Sequence, residues 1–363
     1  MATYRFDEIA INSTKKKKPT EEDKVHYIGL EHIDPGCFNI VRWGSDVAPT
    51  GDKLLMQKGD VLFGKRRAYQ RKVGIAPFDG IFSAHGMVLR PNTEIIDANY
   101  FPFFISSDRF METAVRISVG GLSPTINWKD LAKQKFDLPT LEEQKVLADK
   151  LWAAYRLKEG YKKLLAATDE MVKSQFIEMF SSYQTTPVGN YIEDSYPGEW
   201  GTEDKDGNGV KVVRTTNFTN SGKLDLTDVV TRSISEKKIE RKTIRKYDTI
   251  LERSGGTTDN PVGRVVLFEE DEQYLCNNFT QVLRFKKVDP IFAFYSLFYF
   301  YHTNKIVVRS MGSKTTGIQN LNMSKYLEIG IPNASDDEQK KFVAIAKQAD
   351  KSKFELKQCI ENI

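Results

Sequence analysis

The feature that most constrains this chain is an internal duplication. "LPTLEEQKVLADKL" (138–151) and "IPNASDDEQKKFVAIAKQAD" (331–350) both place a proline and an acidic cluster before Glu-Gln-Lys, at an offset of about 195 residues. Four more pairs of segments follow the same order along the chain, at offsets of about 185 to 195 residues. They are "HYIGLEHID" (26–34) with "KVVRTTNFT" (211–219), "KGDVLFGKRRAYQRKVGIAPF" (58–78) with "KYDTILERSGGTTDNPVGRVVLF" (246–268), "SAHGMVLR" (83–90) with "NNFTQVLR" (277–284), and "AVRISVGGLSPTINWKDL" (114–131) with "VVRSMGSKTTGIQNLNMSKYL" (307–327). The chain is therefore predicted to be two copies of one unit, each a globular part followed by a helix.

Length and composition agree with two globular domains. A chain of 363 residues is too long for one ordinary core, and 40% hydrophobic with 28% charged residues is typical of a globular protein. The three cysteines, Cys37, Cys276 and Cys359, are far apart and suggest a reducing compartment. The start of the chain lacks a secretory signal, and the apolar run at 290–301 is too short to span a membrane. We expect a cytoplasmic protein.

The globular parts are predicted to be mixed α/β. Short strand-like runs such as "DVLF", "MVLR", "RVVLF" and "QVLRF" are separated by Gly, Pro and Asn turns. Each copy also contains an aromatic stretch of helical character, and Asp289-Pro290 is a favourable start for the second of these helices.

Each copy then ends in a long helix. In the first helix, from 141 to about 180, a coiled-coil-like spacing of three, four and seven relates Leu147, Leu151, Ala154, Tyr161, Leu165, Val172, Phe176 and Met179. The second helix carries Phe342, Ile345, Ala349, Leu356 and Ile360, and it ends sooner. Two helices from two copies of one unit are expected to pair antiparallel, as a spacer of roughly 60 Å for ~40 residues.

The motifs of common active sites are missing from the sequence. There is no G-x-x-x-x-G-K-[ST] phosphate loop and no G-x-G-x-x-G dinucleotide loop. The four histidines lack metal-ligand spacing and an adjacent nucleophile. We interpret the chain as non-catalytic, without a cofactor or metal of its own.

Two loops at equivalent positions are instead rich in hydrogen-bond donors. "KRRAYQRK" supplies Lys65, Arg66, Arg67, Tyr69, Arg71 and Lys72. Its counterpart in 252–264 supplies Arg253, Ser254, Gly255, Gly256, Thr257 and Thr258. Different donors on one scaffold suit the reading of two different DNA sequences, because Arg, Ser and Thr match base edges.

A second pair of loops, 116–127 and 309–320, combines an arginine with glycines, hydroxyls and an asparagine. Such loops suit the positioning of phosphates. The candidates are Arg116, Ser123, Arg309, Ser313, Lys314 and Thr315. The net charge of +4 is too mild to indicate nucleic acid by itself. One basic loop alone is more often only solvated. We interpret the lysines at 15–18 as a solvated tip, with contact to phosphates as the alternative.

With these features, the chain resembles the specificity (S) subunits of type I restriction–modification systems. The resemblance rests on "YIGLEHI", "GDVLFGKRR" and "YDTILERSGG", and on "GGLSPTINWKDLAKQKFDLPTLEEQKVLADKL" with its twin "TTGIQNLNMSKYLEIGIPNASDDEQKKFVAIA". It implies an α/β (α+β) fold with target-recognition domains at 1–138 and 184–331 and spacer helices at 139–183 and 332–363. Each recognition domain would read one half of a split DNA site, and the spacer would set the gap.

The same resemblance implies partners. Two modification (methyltransferase) subunits would carry AdoMet, and a restriction (translocase/nuclease) subunit would use ATP and Mg. Residues near Glu142, Glu143, Gln144, Glu338 and Gln339 are expected to face outward, close to the modification subunits. The alternative is a non-catalytic S-like or scaffold subunit of another DNA-modifying defence complex. A stand-alone nuclease or methyltransferase is disfavoured by the missing cofactor motifs.

Overall fold

Both copies of the repeat are present as folded units in the computed structural model, which describes residues 1–257, 259–315 and 318–363, without the side chains of Lys314 and Thr315. Unit 1 comprises residues 1–160 and unit 2 comprises residues 161–363. The boundary between the units falls inside the first long helix.

Unit 1 alternates short strands with helices, and its last helix continues into unit 2. Its elements are β1 (Ala2–Arg5), α1 (Phe6–Ile9), β2 (Ala10–Ser13), β3 (Lys16–Lys17), β4 (Tyr27–Ile28), β5 (Lys53–Met56), β6 (Val61–Phe63), β7 (Val73–Ile75), β8 (Gly80–Phe82), β9 (Met87–Pro91), α2 (Phe101–Ser106), α3 (Asp108–Arg116), α4 (Trp128–Ala132), β10 (Lys135–Leu138) and α5 (Leu141–Phe180).

Unit 2 repeats this order with several added strands. Its elements are β11 (Thr185–Pro187), β12 (Ile192–Pro197), β13 (Thr202–Glu203), β14 (Val210–Val213), β15 (Val230–Ser233), α6 (Glu236–Lys242), β16 (Thr249–Glu252), β17 (Ser254–Gly255), β18 (Val265–Leu267), β19 (Tyr274–Cys276), β20 (Thr280–Phe285), α7 (Pro290–Thr303), α8 (Lys305–Ser310), β21 (Gly312–Thr315), β22 (Ile318–Leu321), α9 (Met323–Leu327), β23 (Gly330–Pro332) and α10 (Asp336–Glu361).

One sheet of each unit corresponds strand by strand, and a second corresponds in its number of strands. The order β2-β9-β6-β7 in unit 1 matches β12-β20-β16-β18 in unit 2, and β3-β5-β8-β4 matches β13-β15-β14-β19 in size. Each of the latter sheets contains one parallel pair, β4 with β8 and β14 with β19. The strand runs predicted from the sequence are therefore confirmed, because β6, β9, β16, β18 and β20 fall on them.

The repeated sequence motifs form a repeated ion pair. Asp60 accepts two hydrogen bonds from Arg90, at 2.6 and 2.9 Å, and Asp248 accepts two from Arg284, at 3.0 and 2.7 Å. Each carboxylate also accepts a backbone N–H three residues earlier, from Gln57 at 2.7 Å in unit 1. Such bidentate pairs have a fixed planar geometry. Each pair therefore connects the turn before β6 or β16 to the neighbouring strand.

Both long helices begin with the same cap. The Glu143 carboxylate accepts the Thr140 N–H at 2.9 Å, and the Glu338 carboxylate accepts the Ser335 N–H at 2.9 Å. These bonds satisfy donors that a helix start leaves without an intrahelical partner. The repeated Glu-Gln-Lys pattern is thus a helix start, as predicted.

The glutamine of that pattern faces inward, which corrects our expectation that Gln144 and Gln339 point outward. Gln144 is fully buried, and its side chain accepts the Asp97 N–H at 2.8 Å. Gln339 is also buried and accepts the Asp289 N–H at 2.8 Å. Each glutamine therefore joins its helix to the globular part of its own unit.

The predicted coiled-coil seam is correct only in part. Leu147 and Leu151 are exposed, because α5 packs in unit 1 through Ala148 and Trp152, each one residue further along, and through Gln144. In unit 2 the seam is present, and Val172 and Phe176 are buried. Residue spacing alone does not distinguish between two neighbouring faces of a helix. Because Gln144 is polar, the spacing of apolar residues did not indicate that its face packs in unit 1.

Within unit 2 the end of α5 and the helix α10 run antiparallel. Lys353 pairs with Asp169 at 2.8 Å, and the Phe176 and Phe342 rings lie 5.1 Å apart. Tyr183 donates to Glu338 further along. The antiparallel packing predicted from the repeat is thus observed here.

Among residues 1–257, 259–315 and 318–363, no helix combines the length and apolar character needed to cross a bilayer.

Candidate nucleic-acid interface

In unit 1 the fold brings the two predicted loops together. Arg66 pairs with Thr125 as an isolated β-bridge, and the Ile126 N–H donates to the Lys65 carbonyl at 3.0 Å. The Arg67 guanidinium donates to the Ser123 hydroxyl at 3.2 and 3.0 Å. The loop proposed to read bases and the loop proposed to hold phosphates therefore form one surface, although about 50 residues separate them in sequence.

Unit 2 joins its two loops at the same position. The Leu321 N–H donates to the Arg253 carbonyl at 2.8 Å, as the Ile126 N–H does to Lys65. Here β17 pairs with β22, so that Ser254 lies opposite Asn320, and the Ser254 hydroxyl donates to the Asn320 side chain at 2.7 Å. The same scaffold position thus carries arginines in unit 1 and a serine–asparagine pair in unit 2.

The remaining candidates of unit 1 are Arg71, Lys72, Tyr69 and Arg116, and the first two are hydrogen-bonded within the fold. Arg71 is bound by Asp108 at 2.6 Å and by the Ser106 carbonyl at 3.0 Å, and Lys72 donates to the Leu30 carbonyl at 2.6 Å. These two side chains hold the loop in place. Tyr69 is 54% exposed at the tip of the turn. Arg116 is exposed at the end of α3.

The first loop of unit 2, at 252–264, depends on glycine. Gly255 and Gly256 have φ of 109° and 63°, and a Cβ on Gly256 would lie 2.8 Å from the Val262 nitrogen. Only glycine fits such a backbone without strain. The Thr257 N–H donates to the Asn260 carbonyl at 2.7 Å, and Thr257 is exposed. Thr258 lies outside the described residues.

The hairpin β21–β22 carries the last group of candidates. Ser313 is exposed and lies opposite Asn320 in the hairpin. Arg309 is exposed in the last turn of α8, just before the hairpin. The backbones of Lys314 and Thr315 belong to β21, and their side chains lie outside the described part of the chain.

A buried ion pair supports the loop of unit 2, and sequence reasoning missed it. Arg264 donates to Glu252 at 3.1 Å and to the carbonyl of Thr215 at 3.1 Å. Burial raises the pKa of the Glu252 carboxyl, and the charge of Arg264 opposes that rise. Because Glu252 also accepts the Gly256 N–H at 3.3 Å, this pair orients the glycine turn.

One ionisable residue beside the loop of unit 1, His85, was also missed as a binding candidate. It follows β8, and its Nε2 lies 3.4 Å from the Arg66 guanidinium. The Arg66 N–H donates to the His85 carbonyl at 3.1 Å. Within the described residues, no group of three or more His, Cys, Asp or Glu is placed to hold a metal ion.

A family profile matches most of the chain. The family described as "Type I restriction modification DNA specificity domain" matches residues 3–166 and 195–363. The two matches fall on the two copies of the repeat.

The chain is also similar to curated specificity subunits. The chain is 29% identical over 146 residues to the type I restriction enzyme EcoDI specificity subunit of Escherichia coli, covering 39% of this chain and 31% of that one. It is 22% identical over 297 residues to the StySPI specificity subunit of Salmonella potsdam, covering 72% of this chain and 62% of that one. The matches thus span less than two thirds of these relatives.

Two solved structures share the fold. A chain of a type I restriction–modification system, solved in a study of complex assembly and conformational transition, matches with a TM-score of 0.53 at 17% identity, covering 99% of this chain and 95% of that one. The type I S subunit from M. genitalium matches with a TM-score of 0.56 at 14% identity, covering 99% and 92%. At these identities the likeness concerns the fold.

Proposed function

Because the chain belongs to the type I restriction–modification DNA specificity family, we propose that it is the DNA-binding specificity subunit of such a complex. Each unit reads one half of a split double-stranded DNA target. The observation that carries this proposal is the loop pair of each unit, joined by the same backbone bond, Ile126 to Lys65 and Leu321 to Arg253, but bearing different side chains.

The side chains on the two surfaces suit different base edges. Arg66 and Arg67 in unit 1 present guanidinium groups, which bind the O6 and N7 acceptors of guanine. Asn320 in unit 2 carries an amide, which matches the N6 and N7 pattern of adenine, and the buried Ser254 holds that amide through its hydroxyl. The two halves of the target therefore differ in sequence, while the fold that reads them stays the same.

The chain acts without catalysing the reaction itself. Methylation of an adenine belongs to modification (methyltransferase) subunits that bind AdoMet, and these subunits flip the base because its amino group is inaccessible in the stack. Translocation and cleavage belong to a restriction subunit that uses ATP and Mg. In this division of roles the chain selects the DNA and holds two modification subunits.

The surface proposed for a modification subunit is an apolar groove in unit 2. It lies between the end of α5 and α10, has a volume of about 790 Å³, and is lined by apolar side chains that include Tyr161, Leu164, Met171, Ile345 and Leu356. Leu164 and Met171 are each 50% exposed. Exposed apolar side chains grouped in this way are typical of protein–protein contacts. This groove replaces Gln144 and Gln339 as the expected contact.

The proposal is tested by mapping adenine methylation across the genome of cells that express the chain with its modification subunit. We expect a split motif that disappears when the chain is deleted and returns when it is restored. The control is a cell that expresses the modification subunit alone. An unchanged methylation pattern, with the complex confirmed to assemble, would contradict the role in DNA selection and favour a scaffold.

A further inference from the structure

We infer that Lys223 and Asp350 are positioning residues for DNA reading in unit 2, because they connect its reading loop to the long helix α10. The reading loops are residues 65–72 in unit 1 and 252–264 in unit 2. The connection runs through residues 215–223, whose counterparts in unit 1 are residues 30–39. We call these two stretches the bridging segments. The inference rests on the proposed function and adds to it residues outside the loops that face DNA.

The two bridging segments begin in the same way. Each starts with a short 3₁₀ turn, Leu30–His32 in unit 1 and Thr215–Asn217 in unit 2. In unit 1 the His32 Nδ1 accepts the Gly29 N–H at 3.0 Å. In unit 2 the Asn217 Oδ1 accepts the Arg214 N–H at 2.8 Å. The two turns are therefore counterparts in the repeat, although their residues differ.

A basic residue of each reading loop holds the start of the bridging segment. In unit 1 the Lys72 ammonium donates to the Leu30 carbonyl at 2.6 Å. In unit 2 the Arg264 guanidinium donates to the carbonyls of Thr215 and Phe218, at 3.1 and 3.3 Å. A displacement of the bridging segment would therefore disturb the reading loop, because these bonds tolerate only a few tenths of an ångström.

The far end of the bridging segment in unit 1 lies on α5. The Tyr155 hydroxyl accepts the N–H groups of Phe38 and Asn39, at 2.9 and 3.3 Å. The rings of Phe38 and Tyr155 lie 5.2 Å apart, measured between their centroids. The contact between bridging segment and helix in unit 1 is therefore aromatic and uncharged.

The far end of the bridging segment in unit 2 occupies the same place in the fold. The Gly222 carbonyl accepts the Leu267 N–H at 3.0 Å, at the end of β18. The Phe38 carbonyl accepts the Ile75 N–H at 2.9 Å, at the end of β7. Gly222 has a φ of 75°, and a Cβ on it would lie 2.7 Å from the Phe294 ring of α7. Only glycine allows the segment to pack this closely against α7.

In unit 2 the bridging segment reaches the long helix through charges. The Lys223 ammonium pairs with Asp350 of α10 at 2.8 Å, and it also pairs with Glu269. Asp350 and Tyr155 each lie eleven residues after the buried glutamine of their own helix (339 to 350 and 144 to 155). The repeat has therefore kept the contact between segment and helix, with a carboxylate in place of a tyrosine hydroxyl.

These charges are largely withdrawn from water. The exposed fractions of the side chains are 29% for Lys223, 24% for Asp350 and 17% for Lys353, which pairs with Asp350 at 2.8 Å. Burial alone would raise the pKa of the Asp350 carboxyl, but the charges of Lys223 and Lys353 bring it below its ordinary value. Asp350 is therefore ionised. Removal of one charge would leave its partner unpaired in a poorly hydrated place, and the bridging segment would move.

Movement of the bridging segment affects the reading of bases more than the attraction of DNA. Hydrogen bonds to base edges require donor–acceptor distances of about 2.7–3.2 Å, so a loosened reading loop loses its discrimination between bases. Attraction to the phosphates carries no sequence information and acts over longer distances. Loss of the Lys223–Asp350 pair is therefore expected to relax one half-site while general DNA affinity is kept.

The test measures base discrimination in each half-site separately. The full chain, assembled with its modification subunits, binds duplexes with the motif found by methylation mapping and duplexes with each base pair of that motif replaced in turn. Lys223→Met is expected to lower discrimination in the half-site of unit 2 about fivefold or more, the lower end of the usual coupling between sites. Tyr155→Phe is expected to act in the half-site of unit 1, because it keeps the ring and removes the hydroxyl that holds Phe38.

The controls separate positioning from general stability. Lys211→Met removes an exposed ion pair with Glu272 in the same unit, outside the bridging segment, and discrimination is expected to be unchanged. Lys223→Arg keeps the charge and is expected to keep discrimination. Asp350→Asn breaks the same pair from the helix side, so its effect and that of Lys223→Met are expected to be less than additive in the double variant. Hydrogen exchange of the core strands confirms that each variant is folded, and Asp350→Asn decides if Lys223→Met is not.

The outcomes separate this inference from the proposed function. Unchanged discrimination in Lys223→Met and Asp350→Asn, with a wild type that prefers its motif, would overturn the inference and leave the proposed function standing. An equal loss of affinity for every duplex would also overturn it, because Lys223 would then have only a structural role. Equal losses of discrimination in both half-sites would do the same. A wild type without any motif preference would contradict the proposed function and, with it, the inference.

Discussion

One glutamine in each repeat connects the long helix to the globular part of its unit. The Gln144 side chain accepts the Asp97 N–H and donates to the carbonyls of Ile95 and Pro139, at 3.1 and 2.9 Å. Gln339 accepts the Asp289 N–H and donates to the Ala334 carbonyl at 2.8 Å. A buried amide with all its partners satisfied specifies one geometry, because any shift of the helix would leave polar groups unpaired.

Gln144→Ala is expected to destabilise unit 1 by roughly 2–4 kcal/mol, because one N–H and two carbonyl groups would lose their buried partner. The free energy of opening is measured by hydrogen exchange of the Asp97 amide and of the core strands of unit 1. Glu142→Ala is the control: its side chain is exposed and pairs with the exposed Lys145, so a change below about 0.5 kcal/mol is expected. Equal effects of the two substitutions would contradict the role assigned to Gln144.

At the scale of elements, α10 and the end of α5 pack antiparallel yet leave one face uncovered. Phe342 and Val343 are buried against unit 2, whereas Leu164 and Met171 remain half exposed along the groove. The buried face stabilises unit 2, and the exposed face is available to a partner. The two roles can therefore be separated by substitution.

Leu164→Asp is expected to reduce assembly with the modification subunit at least tenfold while leaving the folding of the chain intact. The reason is that a charge placed in an apolar contact loses its hydration on binding, a cost of well over the ~1.4 kcal/mol that corresponds to a factor of ten. Lys163→Asp, at the neighbouring exposed position, is the matched control. Assembly is followed by size-exclusion chromatography of the mixed subunits, and comparable loss for both variants would argue against the groove.

For the whole molecule, the duplication predicts two readers that act independently. The recognition surfaces of units 1 and 2 are built from separate loops, and each is held by bonds within its own unit. A substitution in one unit is therefore expected to change one half of the target.

Arg66→Ala should relax base preference in one half-site by about 1–3 kcal/mol, the usual discrimination of a good arginine–base contact. The measurement is binding to a set of duplexes in which each base pair of the target is replaced in turn. Arg71→Ala is the comparison, because Asp108 holds that guanidinium and base preference should stay unchanged. Loss of preference in both halves from Arg66→Ala would contradict two independent readers.

Local patterns predicted much of the fold. The runs around Val61–Phe63 and Thr280–Phe285 are strands, Asp289 caps α7 with bonds of 2.8 and 3.2 Å, and Glu143 and Glu338 mark the two helix starts. These features depend on residues within a few positions of one another, so the sequence expresses them directly. The same reasoning chose the wrong face of α5 in unit 1, because Leu147 and Leu151 satisfy the spacing as well as Ala148 does.

The sequence by itself determined the duplication, the strand runs at β6, β9, β16, β18 and β20, the starts of the two long helices, and which loops carry donors. Only the tertiary structure decided which donors lie together: Arg66 beside Thr125 and His85, and Ser254 beside Asn320. The physical reason is the range of the contacts. A cap or a strand run is set by neighbours along the chain. The contacts between loops depend instead on strand register between segments tens of residues apart, where a shift of one residue would turn Ser254 away from Asn320.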